Sequence, residues 1–181
     1  MKSAWPKVLH HVAGLPMIAH VLATARALNP ESTTVVVGHQ AEAVRAALPA
    51  FSGLSYVVQE PQLGTAHALL TAEPALRGAK GTLLLLSGDV PLLTMATLQT
   101  LACQHAEAGA AATVVTAVVD DPWGYGRIVR SGEQIARIVE ERDATPDERA
   151  IREINSGIYA FALDGLFDAV RSIAAENVQR E

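Results

Sequence analysis

Thr82-Leu83-Leu84-Leu85-Leu86-Ser87-Gly88-Asp89-Val90-Pro91-Leu92-Leu93 is the stretch that decides the fold. Four consecutive leucines between polar residues predict a short strand buried on both faces, as in a parallel sheet covered by helices. The run stops at Ser87-Gly88-Asp89, and ligands of open α/β sheets gather outside the carboxyl ends of such strands. Asp89 therefore stands where a polyanionic substrate and Mg²⁺ would meet. Gly-Asp is also ordinary turn chemistry, so a carboxylate that only caps a turn is the competing reading. Val90-Pro91 turns the chain away, and Thr94 can cap the helix that follows.

Working outward, β-then-α units repeat on both sides. Pro16 suits the first position of a helix reaching about Leu28, with Met17, Val21, Leu22, Ala25 and Leu28 as its buried stripe. Lys7 to His11 reads as a short extended piece before it. Thr33 to Val37 is a β-branched strand, a helix follows from about Gln40 to Leu48, and Leu54 to Val58 is the next strand. The loop Gln59-Glu60-Pro61-Gln62-Leu63-Gly64 leads to a helix that Thr65 can cap. After the leucine strand come a helix from Thr94 to Ala108 and a strand from Ala111 to Val119. This rhythm predicts an α/β chain with a doubly wound, mostly parallel, Rossmann-like sheet.

Past Val119 the rhythm changes. Asp120 to Arg127 is turn-rich, and Arg127–Arg130 with Gln134–Glu140 predicts a hairpin joined at Ser131-Gly132. Glu153-Ile154-Asn155-Ser156-Gly157 leads into the strand Ile158–Ala162, and a helix from about Gly165 to Ala175 follows. The expectation is one domain over 1–181, an α/β half (1–119) followed by an α+β half (120–181) suited to closing over one substrate.

Composition narrows the function classes. The chain has 181 residues, 50% hydrophobic and 18% charged, with a net charge of −5. Such a chain builds a sizeable core, and its acidity argues against a nucleic-acid or anionic-membrane partner. No apolar run approaches the roughly 20 residues of a membrane span. One cysteine, Cys103, allows no internal disulfide and fits a cytoplasmic location. His10, His11, His39 and His67 lack metal-ligand spacing and read as structural.

Five short motifs occur in order: Pro6-Lys7-Val8-Leu9-His10, Gln62-Leu63-Gly64-Thr65-Ala66-His67-Ala68, Gly88-Asp89-Val90-Pro91-Leu92, Gly124-Tyr125-Gly126-Arg127-Ile128 and Glu153-Ile154-Asn155-Ser156-Gly157. Each is weak alone. Together, spread over most of the chain, they resemble the pyrophosphorylase domain of the bacterial N-acetylglucosamine-1-phosphate uridyltransferases, within the sugar nucleotidyltransferase superfamily.

The resemblance implies a reaction that joins UTP and N-acetylglucosamine 1-phosphate, giving UDP-N-acetylglucosamine, a cell-envelope precursor, and pyrophosphate. It implies Mg²⁺ held by Asp89 and phosphate contact by Lys7. It implies a base reader at Gln59, Gly64 and Thr65, and sugar contacts at Gly126, Glu140 and Asn155. The residue types suit these tasks. Positioning two anions calls for fixed cations, an amide offers donor and acceptor to an imide edge, and glycine admits a ring close to the backbone. Glu141 competes with Glu140 for its role, and Arg127, Tyr125 and Asp120 are expected to shape the loop.

The chain also departs from the pattern. Relatives carry a strand and an L-A-A-G-x-G-T-R-M loop directly before the lysine motif, and here Met1-Lys2-Ser3 aligns with that loop's end. The absent strand would lie between the Thr33–Val37 and Leu83–Leu86 strands, leaving their flanks unpaired. Asn177 to Glu181 resembles the family's N-x-Q-G-E, Ser87 stands where tyrosine is frequent, and the β-helix domain that trimerises full-length relatives is missing. The expectation is a truncated, monomeric domain with weak or no turnover. A transferase for another nucleotide or sugar phosphate, a non-catalytic nucleotide-sugar binding module and an inert fragment are the alternatives.

Overall fold

Strands and helices alternate through the first half across residues 5–172, the span that the computed structural model of the protein describes. A 3-10 turn at Lys7–Leu9 is followed by β1 (His11–Val12), β2 (Leu15–Pro16), α1 (Met17–Arg26), β3 (Thr33–Val37), α2 (Ala41–Ala46), β4 (Leu54–Val58), α3 (Gly64–Ala72) and a second 3-10 turn at Glu73–Leu76. Then come β5 (Thr82–Leu85), α4 (Met95–Ala108), β6 (Ala112–Val118), β7 (Arg127–Ser131), β8 (Gln134–Val139), α5 (Pro146–Arg149), β9 (Glu153–Ala162) and α6 (Leu166–Arg171). The expected extension of the last helix to Ala175, and the Met1–Ser3 and Asn177–Glu181 stretches, lie outside the described residues.

The α/β class is as expected, and the pairing adds detail. β3 and β4 pair in parallel, Thr33 opposite Leu54 through Val37 opposite Val58. In the second sheet β9 runs antiparallel between β5 and β6 and also meets β7, which pairs with β8. Because β5 and β6 are each antiparallel to β9, they run in the same direction. The β-α-β units thus keep their common strand direction, while a strand from the second half occupies the place of direct parallel contact. The two halves of the sequence are interleaved in one sheet.

Among the described residues no strand joins β3 to β5, so the sheet lies in two pieces, with unpaired flanks where the sequence predicts them. Helices hold the pieces together. α1 buries Ile18, Ala19 and Leu22 against Val35, Val37 and Leu9. Its Thr24 hydroxyl donates to the Leu93 carbonyl at 3.1 Å, and Leu28 packs with Leu98, Leu101 and Ile158. Leu84 of β5 and Leu86 just past it join that second cluster, whereas Leu83 and Leu85 join Leu69 of α3 and Leu166 and Val170 of α6. Alternate leucines therefore face helices on opposite sides, the doubly wound signature. They are half-buried rather than fully buried because one flank of β5 has no partner strand among the described residues.

Local details correct three expectations. Lys7–Leu9 is a 3-10 turn rather than an extended piece, since Leu9 N–H bonds back to the Pro6 carbonyl at 3.0 Å. Pro16 precedes α1 as its cap residue, and the buried stripe is Ile18, Ala19, Val21 and Leu22, with Met17 and Ala25 only half-buried. Thr94 does cap α4, accepting from the Thr97 N–H at 3.2 Å.

Candidate active site

Short motifs become a site because backbone geometry gathers them at strand ends. The Lys7–Leu9 turn straddles the gap between the two sheets. Leu9 lies in the β3 cluster, while a Cβ on Gly88 would stand 3.2 Å from Val8 Cγ1. Glycine at 88 lets the lysine turn settle directly on the end of β5. One residue along the consequence appears: Lys7 Nζ lies 2.6 Å from Asp89 Oδ2, with the ammonium mostly exposed and the carboxylate half-buried. Asp89 therefore faces a cation across the turn that ends β5.

The second group surrounds a cleft of about 520 Å³ at the carboxyl ends of β3 and β4, lined by Gly38 to Glu42 and Val58 to Gln62. Gln59, 9% exposed, is locked by its backbone N–H to the Val37 carbonyl at 2.7 Å. Its side-chain nitrogen donates to the Gly64 carbonyl at 2.9 Å. Gly64 adopts φ +84°, a conformation in which other residues are strained, so the loop can turn into α3 here. The Gln62 amide lies where a side chain at 38 would be, Nε2 being 1.6 Å from an ideal Cβ, so any larger residue there would displace this exposed, flexible amide. Thr65 departs from expectation. The cap residue of α3 is Leu63, without a side-chain bond, and Thr65 is exposed on the first turn. The glycine's left-handed turn already starts the helix, so no hydroxyl is required.

The third group forms where β9 passes the Gly124–Arg127 loop. Asn155 N–H donates to the Gly126 carbonyl at 2.8 Å. Within β9, Asn155 Oδ1 accepts from Gly157 N–H at 3.0 Å, and Ser156 Oγ donates to Val115 O at 2.6 Å. These bonds replace ladder bonds at the register shift between Val114 and Thr116. Gly157, at φ +75°, completes this bulge, and its carbonyl accepts from Ser87 Oγ at 3.5 Å, which ties the third group to the end of β5. A Cβ on Gly126 would meet Glu140 Oε1 at 3.0 Å and Ile138 Cγ2 at 3.2 Å. Gly126, Glu140 and Asn155 therefore converge.

Neighbouring charges separate the two adjacent glutamates. Glu141 pairs with Arg127 Nη2 at 2.6 Å and accepts from Gly124 N–H at 3.2 Å. The Arg127 bond, then the Gly124 bond, holds its carboxyl below the usual range. Arg127, 2% exposed, also donates to the Tyr125 carbonyl, so this pair braces the loop that presents Gly126. Glu140, the exposed partner next door, is the one beside Gly126.

Two residues escaped the sequence reading. Tyr159 on β9 stacks on Phe161 with ring centroids 5.5 Å apart. Burial pushes its hydroxyl up, against an opposing bond from Asn155, and nearby Glu140 adds to the rise. His67, taken as structural, has Nδ1 3.0 Å from Gln59 Nε2. Its place in the QLGTAHA run is a signal, but only the three-dimensional contact gives it a partner. Among the described residues no cluster of three His, Cys, Asp or Glu could hold a metal by itself, and no helix is long and apolar enough to cross a membrane.

Residues 1–174 match the family described as MobA-like NTP transferase domain. The chain is 50% identical over 181 residues to the bifunctional protein GlmU of Syntrophotalea carbinolica, covering 100% of this chain and 39% of that protein. It is also 50% identical over 182 residues to the bifunctional protein GlmU of Brevibacillus brevis, again covering 100% of this chain and 39% of the relative. The chain thus spans about two fifths of the length of these curated relatives. A solved structure of UDP-glucose pyrophosphorylase complexed with UDP-glucose shares the fold, with a TM-score of 0.72, 18% identity, and coverage of 96% of this chain and 74% of that one. An apo UDP-glucose pyrophosphorylase matches with a TM-score of 0.70, 18% identity, and coverage of 97% and 75%. Fold, family profile and half-identical relatives agree: this chain belongs to the MobA-like NTP transferase domain family.

Proposed function

We propose that this domain serves uridylyl transfer from UTP to N-acetylglucosamine 1-phosphate, yielding UDP-N-acetylglucosamine and pyrophosphate. The observation that carries the reading is the 2.6 Å contact of Lys7 with Asp89 at the carboxyl end of β5. A cation and a carboxylate side by side suit a site where phosphates and a metal replace their mutual contact.

In the reaction, a phosphate oxygen of the sugar phosphate forms a bond to the α-phosphorus of UTP. The bond from that phosphorus to the β-phosphate bridge breaks in line, and pyrophosphate leaves with the electron pair. Lys7 draws the phosphates into register as a point charge on a flexible stem. Asp89 supplies one carboxylate ligand for Mg²⁺, an ion that takes one or two carboxylates and fills its shell from substrate phosphates and water. Bound there, Mg²⁺ would neutralise charge building between the two reacting phosphates. Gln59 and Gly64 contact the base in the cleft beside β3 and β4, with Thr65 at the first turn of α3. Gly126, Glu140 and Asn155 receive the sugar, the bare glycine backbone admitting the ring while the carboxylate and amide bond its hydroxyl and acetamido groups.

The test is Mg²⁺-dependent pyrophosphate release from UTP, CTP, GTP and dTTP, each with N-acetylglucosamine 1-phosphate, alongside calorimetric binding of UDP-N-acetylglucosamine. Release or binding confined to uridine nucleotides supports the reading. Preference for another nucleotide overturns it, and nucleotide-sugar binding with no turnover of any nucleotide would favour a binding module.

A further inference from the structure

The Gln59 amide is fixed at one end by groups of known polarity. A backbone carbonyl only accepts, so the atom 2.9 Å from the Gly64 oxygen is the amide nitrogen. That nitrogen also lies 3.0 Å from His67 Nδ1, which must then offer its lone pair and carry its proton on Nε2. Both bonds use the nitrogen end, which leaves Oε1 as the acceptor Gln59 can offer a ligand in the cleft it lines.

We propose that His67 is a positioning residue for base selection: its Nδ1 lone pair holds the Gln59 amide so that Oε1 meets the imide N3–H of uracil. This rests on the uridylyl reading above. Uracil donates at N3, whereas cytosine carries a lone pair there, so a fixed acceptor favours uracil and leaves cytosine mispaired. An amide free to rotate would offer nitrogen or oxygen to either base and lose that distinction.

The arrangement needs a neutral ring. A proton on Nδ1 would set N–H against N–H and leave the Gly64 carbonyl alone to hold the amide. His67 is the titratable group of α3, which packs against α6, β3, β4 and the Glu73–Leu76 turn. Those elements bring Arg171, paired with both Glu73 and Asp168, and Tyr56, whose ring lies under Arg45, while β3 has no titratable side chain. Glu60 stands in the loop before α3.

The test is calorimetry of the full chain with UTP and with CTP at about pH 8, where the imidazole is neutral. The ratio of the two affinities removes contributions from the triphosphate, which both nucleotides share. His67→Leu should cut the preference for UTP about fivefold, the worth of one net hydrogen bond. His67→Asn, whose Oδ1 can replace the Nδ1 acceptor, should restore it. Nitrogen-15 chemical shifts of His67 in the unmodified chain should show the Nε2–H tautomer, a readout that needs neither nucleotide nor a folded variant. An Nδ1–H signature, or an unchanged preference in His67→Leu, would overturn the positioning role while leaving the uridylyl reading intact. Equal binding of UTP and CTP by the unmodified chain would overturn the uridylyl reading, and base selection with it.

Discussion

Lys7 Nζ and Asp89 Oδ2 stand 2.6 Å apart, joined by a 3-10 turn that rests on Gly88 rather than by any shared secondary structure. The ammonium is 66% exposed, so the pair contributes little to folding. Under the proposed function its value lies in ligand binding. Asp89→Asn should leave Tm within about 2 °C of the parent, because exposed ion pairs contribute about 1 kcal/mol or less. The same change should weaken Mg²⁺-dependent UTP binding about tenfold or more, through loss of the one carboxylate ligand. Thermal melts and calorimetry with and without Mg²⁺ check both halves; a large Tm loss with unaltered binding would make the pair structural.

Gly126 is held between Glu140 and Ile138, and Gly126→Ala reads the sugar side independently. The added Cβ would displace Glu140 Oε1 from 3.0 Å, cheaply, because that carboxylate ends a flexible, exposed side chain. Stability should change by about 1 kcal/mol or less. UDP-N-acetylglucosamine affinity should fall about tenfold, while UTP affinity should move less than about twofold. Titrating both ligands into one preparation separates the effects, and equal losses for the two would place Gly126 outside the sugar contacts.

The strands at Thr33–Val37 and Leu54–Val58 were legible because β-branched runs bounded by turn residues admit few other conformations. The Thr94 cap was legible for the same local reason. The stripe of α1 was not, since this helix serves two clusters, and a single-face pattern misplaces Met17 and Ala25. β9 begins at Glu153 rather than Ile158 because the Asn155-Ser156-Gly157 bulge breaks alternation in sequence while its side chains replace the missing ladder bonds. Among the candidate site residues, Asp89, Gln59 and Gly126 could be named from motif chemistry and resemblance. The contacts of His67 and Tyr159 could not, because they are made only after folding.

Arg127 is enclosed at 2% exposure, with Nε buried and lacking a hydrogen-bond partner, and its remaining nitrogens bound to Tyr125 O and Glu141. Removing one member of such a pair strands the other and empties a packed site. Arg127→Ala should lower Tm by about 6 to 12 °C for a chain of this size. Arg127→Lys should recover only part of this, because one ammonium cannot replace a planar fork that serves two acceptors. Differential scanning calorimetry of the two variants decides the matter, and a Tm shift under about 2 °C for the alanine variant would show that the loop does not depend on this brace.

Acid sensitivity should concentrate where β7 meets β9. The Arg130 guanidinium, bonding both Glu153 oxygens at 2.7 Å, lowers that carboxyl from 4.5 to about 2 against the opposing effect of burial. A carboxyl depressed in the folded state binds protons more readily when unfolded, so stability rises with pH across this interval. The contribution is complete above about pH 4.5 and disappears as pH falls toward about 2. Arg130 is 39% exposed, so solvent screening keeps the effect modest. Urea midpoints measured from pH 6 to about pH 2 should fall in the unmodified chain, with Glu148 and Glu141 adding in the same direction because their carboxyls are also lowered. Glu153→Gln cannot titrate, so its midpoint should start lower near neutrality and decline less steeply below about pH 4.5. Parallel curves for the two proteins would mean that the Arg130 pair is formed equally in the unfolded chain and has no part in acid unfolding.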